Sequence, residues 1–186
     1  MNIVFGITYL VWLLSEILLN RLFRSKGTDK KGADKHTLFL IWITIFVVLF
    51  VAIFASMNFD FPIVNFIIIR YIGLAVIWFG IILRLVIIAS LGEFFTVDVT
   101  IRQNHQLKKD GFYKFLRHPS YFASLLSFIG FGISLNNWIA VIVITIAIFT
   151  VFVVRIKIEE KALIEGFGAE YCEYKKHTYR LIPFIF

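Results

Sequence analysis

The sequence predicts an all-α fold, a polytopic membrane helix bundle with about five transmembrane helices. Of its 186 residues, 60% are hydrophobic and 17% carry a formal charge, whereas soluble domains are about half apolar and about a quarter charged. A single soluble domain of this length could not bury so much apolar surface. The one cysteine, Cys172, excludes an internal disulfide framework and a cysteine zinc cluster.

Five apolar stretches approach the roughly 20 residues that a spanning helix needs. They cover residues 3–23, 37–55, 63–90, 120–134 and 137–154. The first lacks a basic leader and a small-residue cleavage site, so we expect a retained helix rather than a signal peptide. Between the last two, Asn136-Asn137 predicts a tight turn and hence a helical hairpin, in which Gly130 and Gly132 permit close packing.

The basic residues predict the topology. Segments 21–36, 91–119 and 155–186 hold 17 of the 19 lysines and arginines. Five spans place all three segments on one side of the membrane, and the positive-inside rule makes that side cytoplasmic. We therefore predict an N-terminus outside the cell and a cytoplasmic C-terminus. The basic 24–36 loop is expected to contact anionic membrane lipids rather than nucleic acid.

Two arginines, Arg70 and Arg84, fall inside the third predicted span. Charges within a membrane usually face the protein interior, and by depth Arg84 could pair with Glu16. The alternative is that the arginine side chains extend to the lipid headgroups.

The polar residues that membrane topology does not explain are concentrated in two segments, 91–121 and 155–183. Both leave the membrane on the predicted cytoplasmic side, so they can form a pocket over that end of the bundle. Pro119 suits the first turn of a helix, whose free N–H groups bind anions. Arg117 and His118 stand beside that turn, which would receive a carboxylate or a phosphate. Alternatively, both are interfacial anchors.

The second polar segment continues the fifth helix beyond the bilayer. Arg155 and Glu159 are four residues apart and share a helical face, where they could form a site or a plain surface ion pair. Glu160 points elsewhere around the helix, and Gly168 is expected to end it. An aromatic, basic lid follows, formed by Tyr171, Tyr174 and Arg180.

Several common sites are absent from the sequence. It contains no GxGxxG after a strand, no P-loop, no HExxH and no GxSxG. Its four histidines lack metal-ligand spacing, so we expect no metal. A nucleotide-like cofactor would have to bind without a Rossmann domain.

Two motifs make the sequence recognisable. The pattern H-x-L-x3-G-x-Y-x3-R-H-P-x-Y runs from His105 to Tyr121. The pattern E-E-x2-L-x3-F-G-x2-Y-x2-Y-x5-R-x2-P runs from Glu159 to Pro183. At these residues the sequence resembles the isoprenylcysteine carboxyl methyltransferase family, integral-membrane enzymes that use S-adenosylmethionine. The R-H-P-x-Y element alone is less specific, because phospholipid N-methyltransferases share it.

The resemblance covers roughly residues 63–186, which would form a membrane methyltransferase core with its cytoplasmic cofactor pocket. It leaves residues 1–62 as an N-terminal two-helix membrane region. The family often has glycine two residues after the motif tyrosine, where this chain has Ala123. Alanine is still small, so we expect close packing to be kept there.

The resemblance also implies roles for individual residues. It implies a cofactor cradle formed by His105, Gln106, Leu107, Lys108, Tyr113, Pro119, Ser120 and Tyr121. Arg117 and His118 suit the carboxylate of the cofactor. Glu159 or Glu160 suits its cationic end or its ribose. Arg155 would bind the methyl acceptor and orient its carboxylate bidentately, so Arg155 and Glu159 are the implied catalytic residues.

By resemblance, the expected activity is transfer of a sulfonium methyl group to the carboxylate of a hydrophobic or lipid-attached acceptor, such as isoprenylcysteine. A carboxylate needs no general base, so positioning and desolvation can supply most of the catalysis. The lipid tail would enter sideways between helices. One alternative is N-methylation of a phospholipid amine, with His118, Glu159 or Glu160 as proton acceptor. Another is a membrane protein without catalysis, such as a transporter subunit or scaffold.

Overall fold

The structure, a computed structural model, describes residues 2–22, 35–92 and 107–186. Within these ranges the regular secondary structure is helical apart from one isolated β-bridge, which confirms the all-α prediction. The helices are α1 (Ile3–Leu22), α2 (Lys35–Asn58), α3 (Ile68–Leu91), α4 (Pro119–Ser134), α5 (Trp138–Phe167) and α6 (Ala169–Lys176). A short 3-10 helix, Gly111–Lys114, precedes α4.

Four of these helices, α1, α2, α3 and α5, are long and apolar enough to cross a bilayer, so the chain is an integral membrane protein. The fourth predicted span, α4, has 16 residues. It is therefore about 24 Å long, shorter than the roughly 30 Å of bilayer hydrocarbon. It still joins the two ends of the bundle, because it begins next to residues 107–118 and ends next to the loop before α3.

The contact between α3 and α4 is close because glycines let the two backbones approach. A Cβ on Gly130 would lie 2.8 Å from the amide nitrogen of Ile77 and 2.9 Å from the carbonyl oxygen of Gly73. On the side facing α5, a Cβ on Gly132 would lie 3.0 Å from Val141 Cα. The close packing predicted at both glycines of α4 is confirmed.

The predicted turn at Asn136-Asn137 joins α4 to α5 and also holds the loop before α3. Asn136 has a left-handed φ of 54°. Asn137 caps α5, because its side chain accepts a hydrogen bond from the Ala140 amide at 3.1 Å. The Asn136 side chain binds backbone groups of Ile63 and Val64. The helical hairpin is therefore confirmed, with its turn at the end of the bundle where α3 begins.

Helix α3 begins later, and helix α5 ends later, than the apolar stretches of the sequence in which they lie. Residues 63–67 are apolar but not helical, and α3 begins at Ile68, because the amides and a carbonyl of this stretch are bound by Asn136. At the other end of the bundle, α5 continues to Phe167 and ends at Gly168, which has a φ of 55°. The extension of α5 beyond its span and its glycine terminus are both as predicted.

The outer helices pack on different partners. α1 packs against α3, and α2 packs against α5. Between α1 and α3, Nη1 of Arg84 lies 2.6 Å from Glu16 Oε2, which confirms the pairing predicted from depth. Arg70 is exposed near the start of α3. Most of the basic 21–36 loop lies outside the described residues.

Gly130→Ala is expected to destabilise the bundle, because its methyl group would overlap backbone atoms of α3 that cannot rotate away. Overpacking of this kind costs about 1–3 kcal/mol, so the unfolding temperature in detergent should fall. Gly6→Ala is the matched control, since the Cβ position of Gly6 in α1 has open space around it. Equal melting of the two variants would contradict the close α3–α4 contact.

Candidate active site

Residues 107–118 and 168–186 form a cover over one end of the bundle, which we call the polar cap. Leu116 and Tyr179 form a parallel β-bridge within it. The Arg117 amide donates to the Tyr179 carbonyl oxygen at 2.8 Å. The His118 amide donates to the Arg180 carbonyl oxygen at 3.2 Å. The two polar segments singled out in the sequence therefore meet at one end of the bundle, as predicted, within the described part of the first segment.

Buried tyrosines hold the polar cap together. Tyr174 Oη donates a hydrogen bond to the Tyr113 carbonyl oxygen at 2.6 Å. Burial raises the pKa of the Tyr113, Tyr171 and Tyr174 phenols, so all three stay neutral and keep their donor hydrogen at neutral pH. Tyr113 also packs in a buried cluster with Ile87 and Ala123, which connects the polar cap to α3 and α4.

Glu160 of α5 is the centre of a buried ion network that binds the polar cap. Its Oε1 accepts a hydrogen bond from Arg117 Nε at 2.8 Å, and its Oε2 lies 2.9 Å from Arg180 Nη2. Arg117 also donates through Nη1 to the carbonyl oxygens of Lys175 and Thr178. The side chains of Glu160 and Arg117 are only 5% and 8% exposed, so the protein itself encloses both charges.

His118 lies at the junction between the polar cap and α4. It immediately precedes the helix, and a proline occupies the first turn as predicted, so the amides of Ser120 and Tyr121 have no helical carbonyl partner. The ring nitrogens of His118 lie 3.8 Å from Glu159 Oε2 and 3.7 Å from Glu160 Oε1. Its Nε2 is buried without a hydrogen-bond partner in the part of the chain that the structure describes.

A cavity of about 680 Å³, its open mouth included, runs from the start of α4 into the bundle. Its walls come from α1 to α5. Near the polar cap they carry Ser120, Tyr121, Arg155 and Glu159. Farther along the same helices the walls are apolar, formed by Ile41, Trp42, Ile45, Phe128 and Phe152. A cavity of this kind can hold a molecule with a polar head and an apolar chain.

Arg155 lies in the cavity wall and is almost fully buried, with 1% exposure. Its Nη1 donates to Thr37 Oγ1 at 2.6 Å, and its Nε lies 3.4 Å from Tyr121 Oη. Glu159 follows one turn later on the same face of α5, as their spacing predicts, and its side chain is 31% exposed. The guanidinium is therefore held in place, while the carboxylate of Glu159 remains open to the cavity.

A second charged group lies in the same walls. Arg84 Nη1 donates to both carboxylate oxygens of Glu16 at 2.6 Å and to Ser124 Oγ at 2.7 Å. All three residues line the cavity. The cavity thus contains two arginines and two glutamates in a bundle that is otherwise strongly apolar.

The remaining predicted site residues lie at or before the polar cap. His105 and Gln106 fall outside the described residues. Leu107 and Lys108 begin the polar cap, where Lys108 Nζ lies 3.0 Å from Asp110 Oδ1. Pro119 is buried at the start of α4.

Two hydroxyl groups near the charged residues were not selected from the sequence. Ser124, which contacts Arg84, lies one helical turn after Ser120, so the helical period could have indicated it. Thr37, which contacts Arg155, belongs to another predicted span and lies far from either motif. Its placement depends on how α2 packs against α5.

The sequence was compared with known protein families and with curated proteins. The sequence profile of the isoprenylcysteine carboxyl methyltransferase (ICMT) family matches residues 71–165. Protein-S-isoprenylcysteine O-methyltransferase B of Arabidopsis thaliana is 36% identical over 115 residues, which are 61% of this chain and 58% of that protein. The protein-S-isoprenylcysteine O-methyltransferase of Dictyostelium discoideum is 36% identical over 117 residues, 62% of this chain and 49% of the relative. The chain thus spans about half the length of these curated relatives.

A solved structure is also similar. The eukaryotic intramembrane Ras methyltransferase ICMT, determined without a monobody, superimposes with a TM-score of 0.61 at 29% sequence identity. The match covers 81% of this chain and 53% of the other. The family profile covers half of the sequence, including α4 and the charged face of α5. This chain therefore belongs to the isoprenylcysteine carboxyl methyltransferase family.

Proposed function

We propose that this protein is a methyltransferase that uses S-adenosylmethionine to esterify the carboxylate of a lipid-like acceptor. The observation that carries the proposal is a single cavity with two different ends. Arg155 and Glu159 line it beside the start of α4, whereas its inner walls are apolar. The curated relatives are named protein-S-isoprenylcysteine O-methyltransferases, which supports an isoprenylcysteine-like acceptor, such as the C-terminus of a prenylated protein.

The residues near the polar cap fit S-adenosylmethionine. His118 Nε2 and Tyr171 Oη are buried polar atoms without a hydrogen-bond partner among the described residues, and a ligand would satisfy such atoms. The amides of Ser120 and Tyr121, which have no carbonyl partner within the helix, suit a carboxylate, and Glu159 suits a cation. When bound, the cofactor supplies a sulfonium methyl group, which passes to an acceptor oxygen as the carbon–sulfur bond breaks.

Arg117 and Glu160 act in this proposal as positioning residues rather than as cofactor ligands. Their charged groups already bind each other and the C-terminal segment, so in this proposal they take a positioning role in place of the cofactor contact that the resemblance implies for them. By binding both polar segments, the pair holds His118 and the first turn of α4 in place. In this proposal Glu159, rather than Glu160, therefore contacts the cofactor directly.

Arg155 binds the acceptor carboxylate in this proposal. Its contacts with Thr37 and Tyr121 hold the guanidinium plane at the polar end of the cavity. Because no proton moves when a carboxylate is methylated, the chain needs no general base. Its side chains orient the two reactants and keep water out, and these effects account for most of the rate increase.

The acceptor chain lies against the apolar walls formed by Trp42, Ile45, Phe128 and Phe152. It reaches them from the bilayer between α1 and α2, since these two helices line the cavity but pack on different partners. The positions of the basic residues support an orientation in which the polar cap is cytoplasmic, where a water-soluble cofactor is available.

Radiolabelled S-adenosylmethionine and membranes containing this protein should yield a labelled product that releases volatile methanol in base. A methyl ester is cleaved under these conditions, whereas an N-methyl phospholipid is not. Membranes without the protein are the control. Base-stable label in the lipid fraction would instead indicate N-methylation, and absence of transfer would indicate a protein without catalysis.

Glu159→Gln and Glu160→Gln should have different effects, because the neighbouring carboxylates face different surroundings. Glu159→Gln should weaken cofactor binding measured by titration calorimetry and leave the unfolding temperature unchanged. Glu160→Gln should mainly lower the unfolding temperature, since breaking a buried ion pair costs about 3–5 kcal/mol. The opposite pattern would exchange the roles of the two residues.

Arg155→Lys should lower kcat/KM for the acceptor by about tenfold or more, because lysine cannot bind a carboxylate bidentately. Cofactor affinity should be unchanged. Arg70→Lys is the control, as Arg70 is exposed at the far end of the bundle, and it should behave like the wild type. Loss of cofactor binding in Arg155→Lys would place Arg155 in the cofactor site.

A further inference from the structure

Residues 181–186 fold back on themselves at the end of the polar cap, and we call them the hook. The amides of Leu181 and Ile182 both donate to the Phe186 carbonyl oxygen at 2.8 Å. Phe184 has a left-handed φ of 63°, which turns the chain. Leu181 is fully buried and belongs to the core of the bundle. The hook is therefore a closed structure with a fixed base.

The hook returns from the polar cap along α5 toward the bilayer. The ring centroids of Phe186 and Phe149 lie 5.8 Å apart. α5 enters the membrane at Trp138, at the opposite end of the bundle, where a tryptophan ring suits the interface. From Trp138 to Phe149 the helix advances about 17 Å, whereas the hydrocarbon layer is roughly 30 Å thick. The hook therefore contacts α5 at a level that lies inside the hydrocarbon layer.

The tip of the hook exposes large apolar side chains. Phe184 and Ile185 are 80% and 79% exposed, and the backbone distance from either to Phe186 is at most about 7 Å. Tyr179 extends this surface, because its ring centroid lies 5.5 Å from that of Phe184. Contiguous exposed apolar surface marks a site of contact with a membrane or with another protein.

The groups around the tip favour a membrane. The Tyr179 amide donates to the carbonyl oxygen of Phe115, another exposed aromatic residue, at 2.9 Å. Lys114 Nζ lies 5.9 Å from the Phe115 ring centroid, and the guanidinium of Arg180 lies 5.0 Å from that of Phe186. Aromatic rings beside basic groups are typical of the boundary between hydrocarbon and headgroups, where lysine and arginine attract lipid phosphates.

We infer that the hook binds the lipid bilayer and anchors the polar cap to it, with Phe184 and Ile185 inserted among the acyl chains. This inference does not depend on the proposed function. It adds a lipid contact outside the four helices that are long enough to span, and it places residues 184 and 185 in lipid rather than in water. Because Arg180 contacts both Phe186 and Glu160, the anchor supports the ion network that binds the polar cap.

Spin labels test the position of the hook, and the one cysteine of the chain provides the control. Cys172 is exposed on α6, in the same polar cap, and is labelled in the wild type. The Cys172→Ser/Ile185→Cys variant carries the label on the hook. In nanodiscs of phosphatidylcholine and phosphatidylglycerol, power saturation compares collisions with oxygen, which concentrates in hydrocarbon, and with a neutral nickel chelate, which stays in water.

The ratio of oxygen to nickel collisions should be several-fold higher at position 185 than at position 172. Equal ratios would place the hook in water and overturn the inference. Protection of position 185 from both reagents would indicate contact with protein, such as a second copy of the chain, and would overturn it as well.

A Phe184→Ser/Ile185→Ser variant tests whether the hook anchors the polar cap. The amides of Arg117 and His118 donate to carbonyl oxygens of the tail, and local opening of the cap exposes them to solvent. In nanodiscs, their exchange with deuterium, measured by mass spectrometry, should be about tenfold faster in this variant than in the wild type.

Phe66→Ser/Ile67→Ser is the matched control, because it changes another exposed Phe-Ile pair, directly before α3 at the other end of the bundle. It should leave the exchange of these amides unchanged. Equal exchange in the two double variants would overturn the anchoring of the polar cap by the hook.

Discussion

Glu160 holds the candidate site together, because its two carboxylate oxygens bind arginines from two different segments. Arg117 comes from the segment before α4, and Arg180 comes from the tail after α6. The pairing brings both segments onto α5, and the β-bridge between Leu116 and Tyr179 then aligns their backbones. Without that attachment, His118 would have no fixed position at the start of α4.

The bilayer constrains where charged side chains can lie inside the bundle. Hydrocarbon provides no hydrogen bonds, so the charged side chains of Glu16, Arg84 and Arg155 are paired or hydrogen-bonded where they line the cavity. Arg84 and Glu16 pair with each other, and Arg155 is bound by hydroxyl groups from two helices. Glycines along α3 and α4 bring those helices close together. The cavity lies instead where α1 and α2 pack on different partners.

Local chemistry explains why parts of the architecture were predictable. The turn follows from Asn136, which tolerates a left-handed conformation, and from Asn137, which caps the next helix. Residues 63–67 could not be placed in the same way, because they are as apolar as a helix and are kept out of it by a side chain 73 positions away from Ile63. Glu159 and Glu160 are adjacent and chemically identical, yet one lines the cavity and the other binds Arg117.

The sequence by itself determined that the chain is a membrane helix bundle, that its two motifs resemble one family, and that Arg155 and Glu159 share a helical face. These features depend on composition, helical period and short spacing, which are properties of neighbouring residues. Only the tertiary structure decided which charges are bound within the protein and which face the cavity. That choice depends on helices far apart in the sequence, since Thr37 of α2 reaches Arg155 and Glu16 of α1 reaches Arg84 only after the bundle has packed.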